Sequence, residues 1–139
     1  ERALYLVEKR DMSTYMLKEK LRDNDHPDTV ILRVISFLEE YGYLNDNEFV
    51  RMYVNTYSSR KSRKQLQYGL LQKGISKDLI LEYFEQNDYT EAECFNRQFI
   101  RYVRNKNLSD PVIRQKVFRY FYGKGFASSL ISLYLKEQN

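Results

Sequence analysis

LLQKGISKDLI, residues Leu70 to Ile80, is the stretch on which the fold turns. A short apolar helical pattern runs into Gly74, and Ser76 opens another. Glycine takes the left-handed backbone at a helix C-terminus without steric cost, and serine caps the next N-terminus. Ile75 before that cap and Ile80 four residues after it make a hydrophobic staple. The phrase returns as FYGKGFASSLI, Phe121 to Ile131, and it has an earlier copy in LRDNDHPDTVI, Leu21 to Ile31. The three copies align without a gap, from Leu21 to Leu70 to Phe121, at offsets of 49 and 51 residues. Leu17, Leu66 and Val117 match four residues upstream, and Phe37, Phe84 and Leu135 lie in comparable apolar stretches downstream. Asp25 stands where the later copies have glycine, so the first turn is the irregular one.

A further amphipathic helix precedes each copy: Ala3–Arg10, Asp46–Tyr57 and Glu91–Lys106. The expected organisation is all-α, with three tandem three-helix repeats over 1–43, 44–88 and 89–139 and nine helices in total. No segment alternates with period two, so no strand is predicted. A unit of about 45 residues buries little core alone, so stacking on its neighbour supplies much of its stability. Such stacking predicts an elongated, curved body.

The oxygen-rich run Asn45-Asp46-Asn47-Glu48 has two readings, a metal or catalytic site or a helix start. Asn45 and Glu48 have capping-box spacing, and Leu44 and Phe49 have staple spacing. A calcium loop of the EF-hand type needs ligands spread over about 12 residues, and none follow here. A helix start is expected. The same grammar marks Met12-Ser13 with Leu17, Ser62 with Gln65, Thr90 with Glu93, and Asp110-Pro111. Gly42, Gly74 and Gly125 are the expected helix stops.

Composition fits this picture. The 139 residues include 13 Tyr and 8 Phe, with no Trp and only 5 Gly and 2 Pro. Cys94 is the single cysteine, which excludes an intrachain disulfide and fits a reducing compartment. No apolar run approaches the roughly 20 residues of a membrane-spanning helix. The chain begins at Glu1 rather than Met, and the expectation is a fragment of a longer cytoplasmic protein. Residues 1–56 carry 8 Lys/Arg against 11 Asp/Glu, whereas residues 57–139 carry 15 against 8. The basic second part calls for an acidic partner, either nucleic acid or a protein groove.

Catalysis finds little support. His26, the one histidine, precedes Pro27 and reads as part of a helix start. Cys94 falls at a staple position after Thr90 and reads as a half-buried structural thiol. A zinc site lacks ligands, and Gly123-Lys124-Gly125 lacks the spacing of a phosphate loop. No enzyme, metal or cofactor is expected.

Two basic features are more informative. Arg60, Lys61, Arg63 and Lys64 surround a helix start at Ser62, where cations oppose the helix dipole. With exposed backbone N–H groups they make a candidate anion site, and a solvated charge run is the plain alternative. On the helix expected over 91–106, Arg97, Arg101 and Arg104 gather opposite Phe95, Phe99 and Tyr102, and Lys106 extends the basic end. Arg114, Arg119 and Lys124 extend this surface from the next helix. The tyrosines either stack on bases, as in single-strand binders, or fill helix contacts with their hydroxyls at the rim.

YLNDNEFVRMYV (Tyr43–Val54), SRKQLQYGLLQKGIS (Ser62–Ser76) and GKGFASSLI (Gly123–Ile131), in that order, resemble the RecX regulatory proteins of bacteria. ALYLVEKRDMSTYMLKEKL (Ala3–Leu21) resembles that family's first repeat. The resemblance implies tandem three-helix repeats without enzymatic activity. It also implies a monomer that lies in the helical groove of the RecA–DNA filament and inhibits the recombinase. Two alternatives stay open: a direct DNA binder, and a helical-repeat scaffold with an unrelated partner. No membrane association is expected.

Overall fold

The computed structural model of the protein describes residues 12–87 and 89–137. Among these residues there are eight helices and no strand. They are α1 (Thr14–Asp23), α2 (Asp28–Glu40), α3 (Asp46–Tyr57), α4 (Arg63–Gln72), α5 (Lys77–Gln86), α6 (Ala92–Val103), α7 (Pro111–Gly123) and α8 (Ser128–Glu137). The helix predicted over Ala3–Arg10 lies outside the described residues.

Most helix starts follow the predicted chemistry. Ser13 Oγ accepts from the Met16 N–H at 3.2 Å, and Ser76 Oγ accepts from Leu79 at 3.2 Å. Ser62 and Gln65 form the reciprocal box, with Ser62 N donating to Gln65 Oε1 at 3.0 Å and Gln65 N to Ser62 Oγ at 3.2 Å. Asp110 caps Val112 at 2.9 Å, ahead of Pro111 in the first turn of α7. Asn45 Oδ1 accepts from Asn47 and Glu48, at 3.0 and 3.3 Å, so the oxygen-rich run does start a helix. The box predicted from Thr90 and Glu93 takes another form. Thr90 Oγ1 accepts from Ala92 at 3.3 Å, and Glu91 stands at the N-cap with its carboxylate turned to other partners. Gly42, Gly74 and Gly125 have φ of 76°, 81° and 94°, as helix stops require.

The repeat alignment is visible in burial. Leu17, Leu66 and Val117 are buried, as are Leu21, Leu70 and Phe121, and then Ile31, Ile80 and Ile131. Downstream the match is Ile35, Phe84 and Leu135, each four residues past the buried isoleucine. Phe37, predicted for that place, is 52% exposed. Two residues past Ile35 it lies on another side of α2, where its ring meets Tyr41 at 4.7 Å. Cys94, read as half-buried, is buried.

The chain divides into two compact units, one drawn from Glu1–Asn55 and Gly69–Asp88, the other from Thr56–Tyr68 and Tyr89–Asn139. In the first unit α1 and α2 enclose an aliphatic core of Leu17, Leu21, Ile31, Ile35, Leu38 and Leu44. The second is aromatic. Phe95 meets Phe121, Phe126 and Tyr134 edge-on, at centroid distances of 4.9, 5.2 and 4.8 Å. Edge-to-face pairs each add about 0.5–1.5 kcal/mol beyond their buried area. This core holds α6, α7 and α8 in fixed register, which sets the geometry of the candidate site.

Candidate functional site

Each unit contains one joint, and both joints follow one plan. In the first, the buried Ser13 hydroxyl donates to the Lys73 carbonyl. In the second, the buried Ser62 hydroxyl donates to the Lys124 carbonyl at 2.6 Å. Lys73 and Lys124 each precede a left-handed glycine. A carboxylate closes each joint. Asp46 accepts from the Thr14 N–H at 2.8 Å, and Glu91 from the Arg63 N–H at 2.8 Å and the Ala127 N–H at 3.1 Å. The anion expected at the start of α4 is therefore present, and it is Glu91 of the same chain. The glycines are sterically required. A Cβ on Gly74 would fall 2.1 Å from Tyr15 Cβ, and one on Gly125 2.8 Å from Lys64 Cβ. The first copy's turn is exposed, so Asp25 holds a φ of 63° there.

Beside the second joint a cleft of about 710 Å³ opens. Arg60 approaches it from the turn before α4, Arg97 and Arg101 from α6, and Lys124 from the end of α7. Ser59, Gln98, Tyr102 and Tyr120 complete the lining, and none of these residues is acidic. Gln98 organises the wall. Its Nε2 donates to the Arg60 carbonyl at 3.1 Å and to Cys94 Sγ at 3.2 Å. Its Oε1 accepts from Lys124 Nζ at 3.0 Å. Burial pushes the Cys94 thiol above its ordinary value, against a smaller opposite effect of the Gln98 hydrogen bond. The protonated form is favoured, which suits structure and not nucleophilic attack.

The two tyrosines of the cleft pack on each other. Tyr102 and Tyr120 lie parallel at 4.0 Å. Lys106 Nζ stands 4.7 Å over Tyr102, and Lys124 Nζ stands 4.8 Å over Tyr120. Nothing fits between rings at that spacing, so the two ammonium groups cover the outer faces. At this pair the ring faces that bases would stack on are taken by the protein itself.

The remaining predicted residues are dispersed. Arg97, Arg101 and Arg104 are all exposed, but Arg104 lines a separate cavity of about 530 Å³ with Lys106 and Glu137. Arg114 is half-buried and donates to the Leu108 carbonyl at 3.1 Å and the Leu135 carbonyl at 2.8 Å, tying α7 to α8. Arg63 and Arg119 are exposed on α4 and α7. Lys64 packs its stem near Gly125, and Lys61 lies 4.7 Å over the Tyr57 ring. Gln98 and Tyr120 were not singled out by sequence patterning. The repeat alignment pairs Tyr120 with Gly69, whereas the pairing of Gln98 with Tyr53 needs the register of buried residues in α3 and α6.

Among the described residues no group of three His, Cys, Asp or Glu is placed to hold a metal ion, and no helix is long and apolar enough to cross a membrane.

Three family models match in chain order. That described as RecX, first three-helix domain, covers residues 1–38; the second three-helix domain covers 45–82; the third covers 96–135. A protein of Clostridium perfringens strain SM101 named regulatory protein RecX is 30% identical over 129 residues, 89% of this chain and 60% of the relative. One of the same name from Clostridioides difficile strain 630 is 30% identical over 141 residues, 98% of this chain and 66% of the relative. The chain thus spans about 60–66% of the length of these relatives. The crystal structure of RecX from Lactobacillus salivarius superposes with a TM-score of 0.82 at 20% identity, covering 98% of this chain and 91% of that one. A second, of regulatory protein RecX, gives 0.80 at 23%, covering 98% and 68%.

Proposed function

The chain belongs to the RecX family, and from that premise we propose that it binds the RecA recombinase filament and inhibits its assembly, ATP hydrolysis and recombination by occupying the filament groove. The observation that carries this reading is the unbroken order of three family domains along one chain. The mechanism is occupancy, without covalent chemistry. A monomer seated across neighbouring RecA subunits hinders their repacking and the addition of the next subunit. The cations of repeats two and three supply the attraction, and Arg97 and Arg101 carry most of it because they share one cleft free of acids. Direct DNA binding is the weaker reading at this cleft, since Tyr102 and Tyr120 stack on each other beside Lys106 and Lys124.

RecA's DNA-dependent ATP hydrolysis, measured with increasing amounts of the chain, tests the proposal. The rate falls progressively with the parent chain and falls less with Arg97→Glu/Arg101→Glu. An unchanged rate at saturating chain overturns the RecA reading. Inhibition by the folded double variant equal to that of the parent overturns the assignment of the contact.

A further inference from the structure

The two joints of the chain are copies of one scaffold, and the second carries a cationic cleft whose rim differs from the matching described residues of the first. The matching burial of Phe49, Val50 and Val54 with Cys94, Phe95 and Phe99 sets the register between α3 and α6. In that register Met52 corresponds to Arg97, Tyr53 to Gln98 and Thr56 to Arg101. Gly69 corresponds to Tyr120, one residue before the buried pair Leu70 and Phe121. In the first joint the Tyr53 hydroxyl occupies the space over Gly69, only 2.0 Å from where a Cβ would stand. The second joint exchanges the sizes. The residue on α6 is the shorter Gln98, the residue on α7 is Tyr120, and two arginines replace Met and Thr at the rim. Holding the joint together therefore does not require the two arginines, since the first joint closes by the same serine, carboxylate and glycine with Met52 and Thr56 in their places.

We propose that the cleft between α6 and α7 is a receptor for an acidic segment of a partner protein, one presenting at least two carboxylates. This rests on the reading that the chain acts by docking on a protein. Three features favour carboxylates over nucleic acid. The site is concave and takes an inserted segment, where a duplex presents a broad backbone. Its tyrosine faces are covered by Lys106 and Lys124, so a single strand gains no stacking there. Its cations include three arginines, whose planar forks take carboxylates two oxygens at a time. Gln98 fixes Lys124 and the Arg60 backbone beforehand, so little ordering remains when the segment enters.

The experiment titrates fluorescein-labelled octaglutamate into the whole chain and compares it with oligothymidylate of matched charge, both followed by anisotropy. Two variants borrow the first joint's own residues. Arg97→Met/Arg101→Thr removes charge, and Gln98→Tyr/Tyr120→Gly exchanges the sizes of the two wall residues and removes the Gln98 tie to Lys124 and the Arg60 carbonyl while keeping all four cations. Circular dichroism checks that each is folded. The expected result is that each variant weakens peptide binding by about tenfold or more and that oligothymidylate binds more weakly than the peptide. Absence of peptide binding to the parent chain, equal binding by both folded variants, or tighter binding of oligothymidylate overturns the proposal. The RecA reading fails separately: ATP hydrolysis by RecA then ignores the chain while peptide binding persists. Loss of peptide binding with ATPase inhibition intact removes the cleft assignment alone.

Discussion

The buried Ser62 hydroxyl and the Lys124 carbonyl meet at 2.6 Å across 62 residues of sequence. The same oxygen caps Gln65, so one hydroxyl both starts α4 and receives the end of α7. Ser62→Ala leaves the Lys124 carbonyl without this donor and a helix N–H without its acceptor. The expected loss is about 2 kcal/mol of unfolding free energy, read as a lower urea midpoint. Ser76→Ala, at an exposed cap of the same type, costs closer to about 1 kcal/mol.

The glycine turns give a graded prediction. Gly42 has a positive φ and open space around it, so Gly42→Ala carries only the left-handed penalty of about 1–2 kcal/mol. Gly74→Ala adds a collision with Tyr15 Cβ and exceeds that value, since the neighbour is the rigid root of a side chain. Asp25→Gly should stabilise by about 0.5–1 kcal/mol, because the exposed aspartate holds a left-handed φ that glycine takes freely. Thermal unfolding should place Asp25→Gly highest, Gly42→Ala next and Gly74→Ala lowest.

These turns also mark how far sequence alone carried. Gly74 and Gly125 were readable as stops because their neighbours repeat, and Ser13 and Ser62 as caps because the capping grammar is local. Their second role was not readable. A hydroxyl that reaches Lys73 or Lys124 spans 60 or 62 residues, more than a whole repeat, and no local pattern encodes its target. Glu91 shows the same limit: next to Thr90 and Glu93 it looked incidental, yet its carboxylate takes two backbone donors from elsewhere in the second unit. Phe37 was misplaced because an apolar stretch with two candidates two residues apart does not say which one faces inward. The basic residues were found by charge. Their sorting into a cleft, a separate cavity and an internal tie depended on where α6 and α7 meet.

Arg114 and Arg101 separate structure from binding. Arg114 is half-buried and supplies two carbonyls, so Arg114→Met should cost about 2–3 kcal/mol, as hydrogen bonds from charged donors do. Arg101 is exposed on the cleft rim, and Arg101→Met should leave the urea midpoint within experimental scatter. In a RecA ATPase assay at matched folded concentrations the expectation reverses. Arg101→Met inhibits less well than the parent chain, and Arg114→Met keeps its potency at temperatures where it is folded. A stable Arg114→Met variant would mean that its two carbonyls find other donors.

Cys94 predicts a pH dependence whose sign follows from burial. The thiol is pushed above its ordinary value first by desolvation, with Gln98 donating to the sulfur in partial opposition. The folded state therefore holds the proton more tightly than the unfolded chain. Its contribution to stability is complete at neutral pH, where both states are protonated, and declines as pH rises past about 8.5, where the unfolded thiol ionises. Urea unfolding at neutral pH and at about pH 10 should show a loss in the parent chain that Cys94→Ala reduces. Lysines and tyrosines titrate in the same range, so the difference between parent and variant is the informative quantity. A thiol reagent added at neutral pH should modify native protein slowly and urea-unfolded protein quickly. Equal rates would place the sulfur in contact with water, and the hydrogen bonds from Gln98 to Cys94 and to the Arg60 carbonyl would then not be closed in solution.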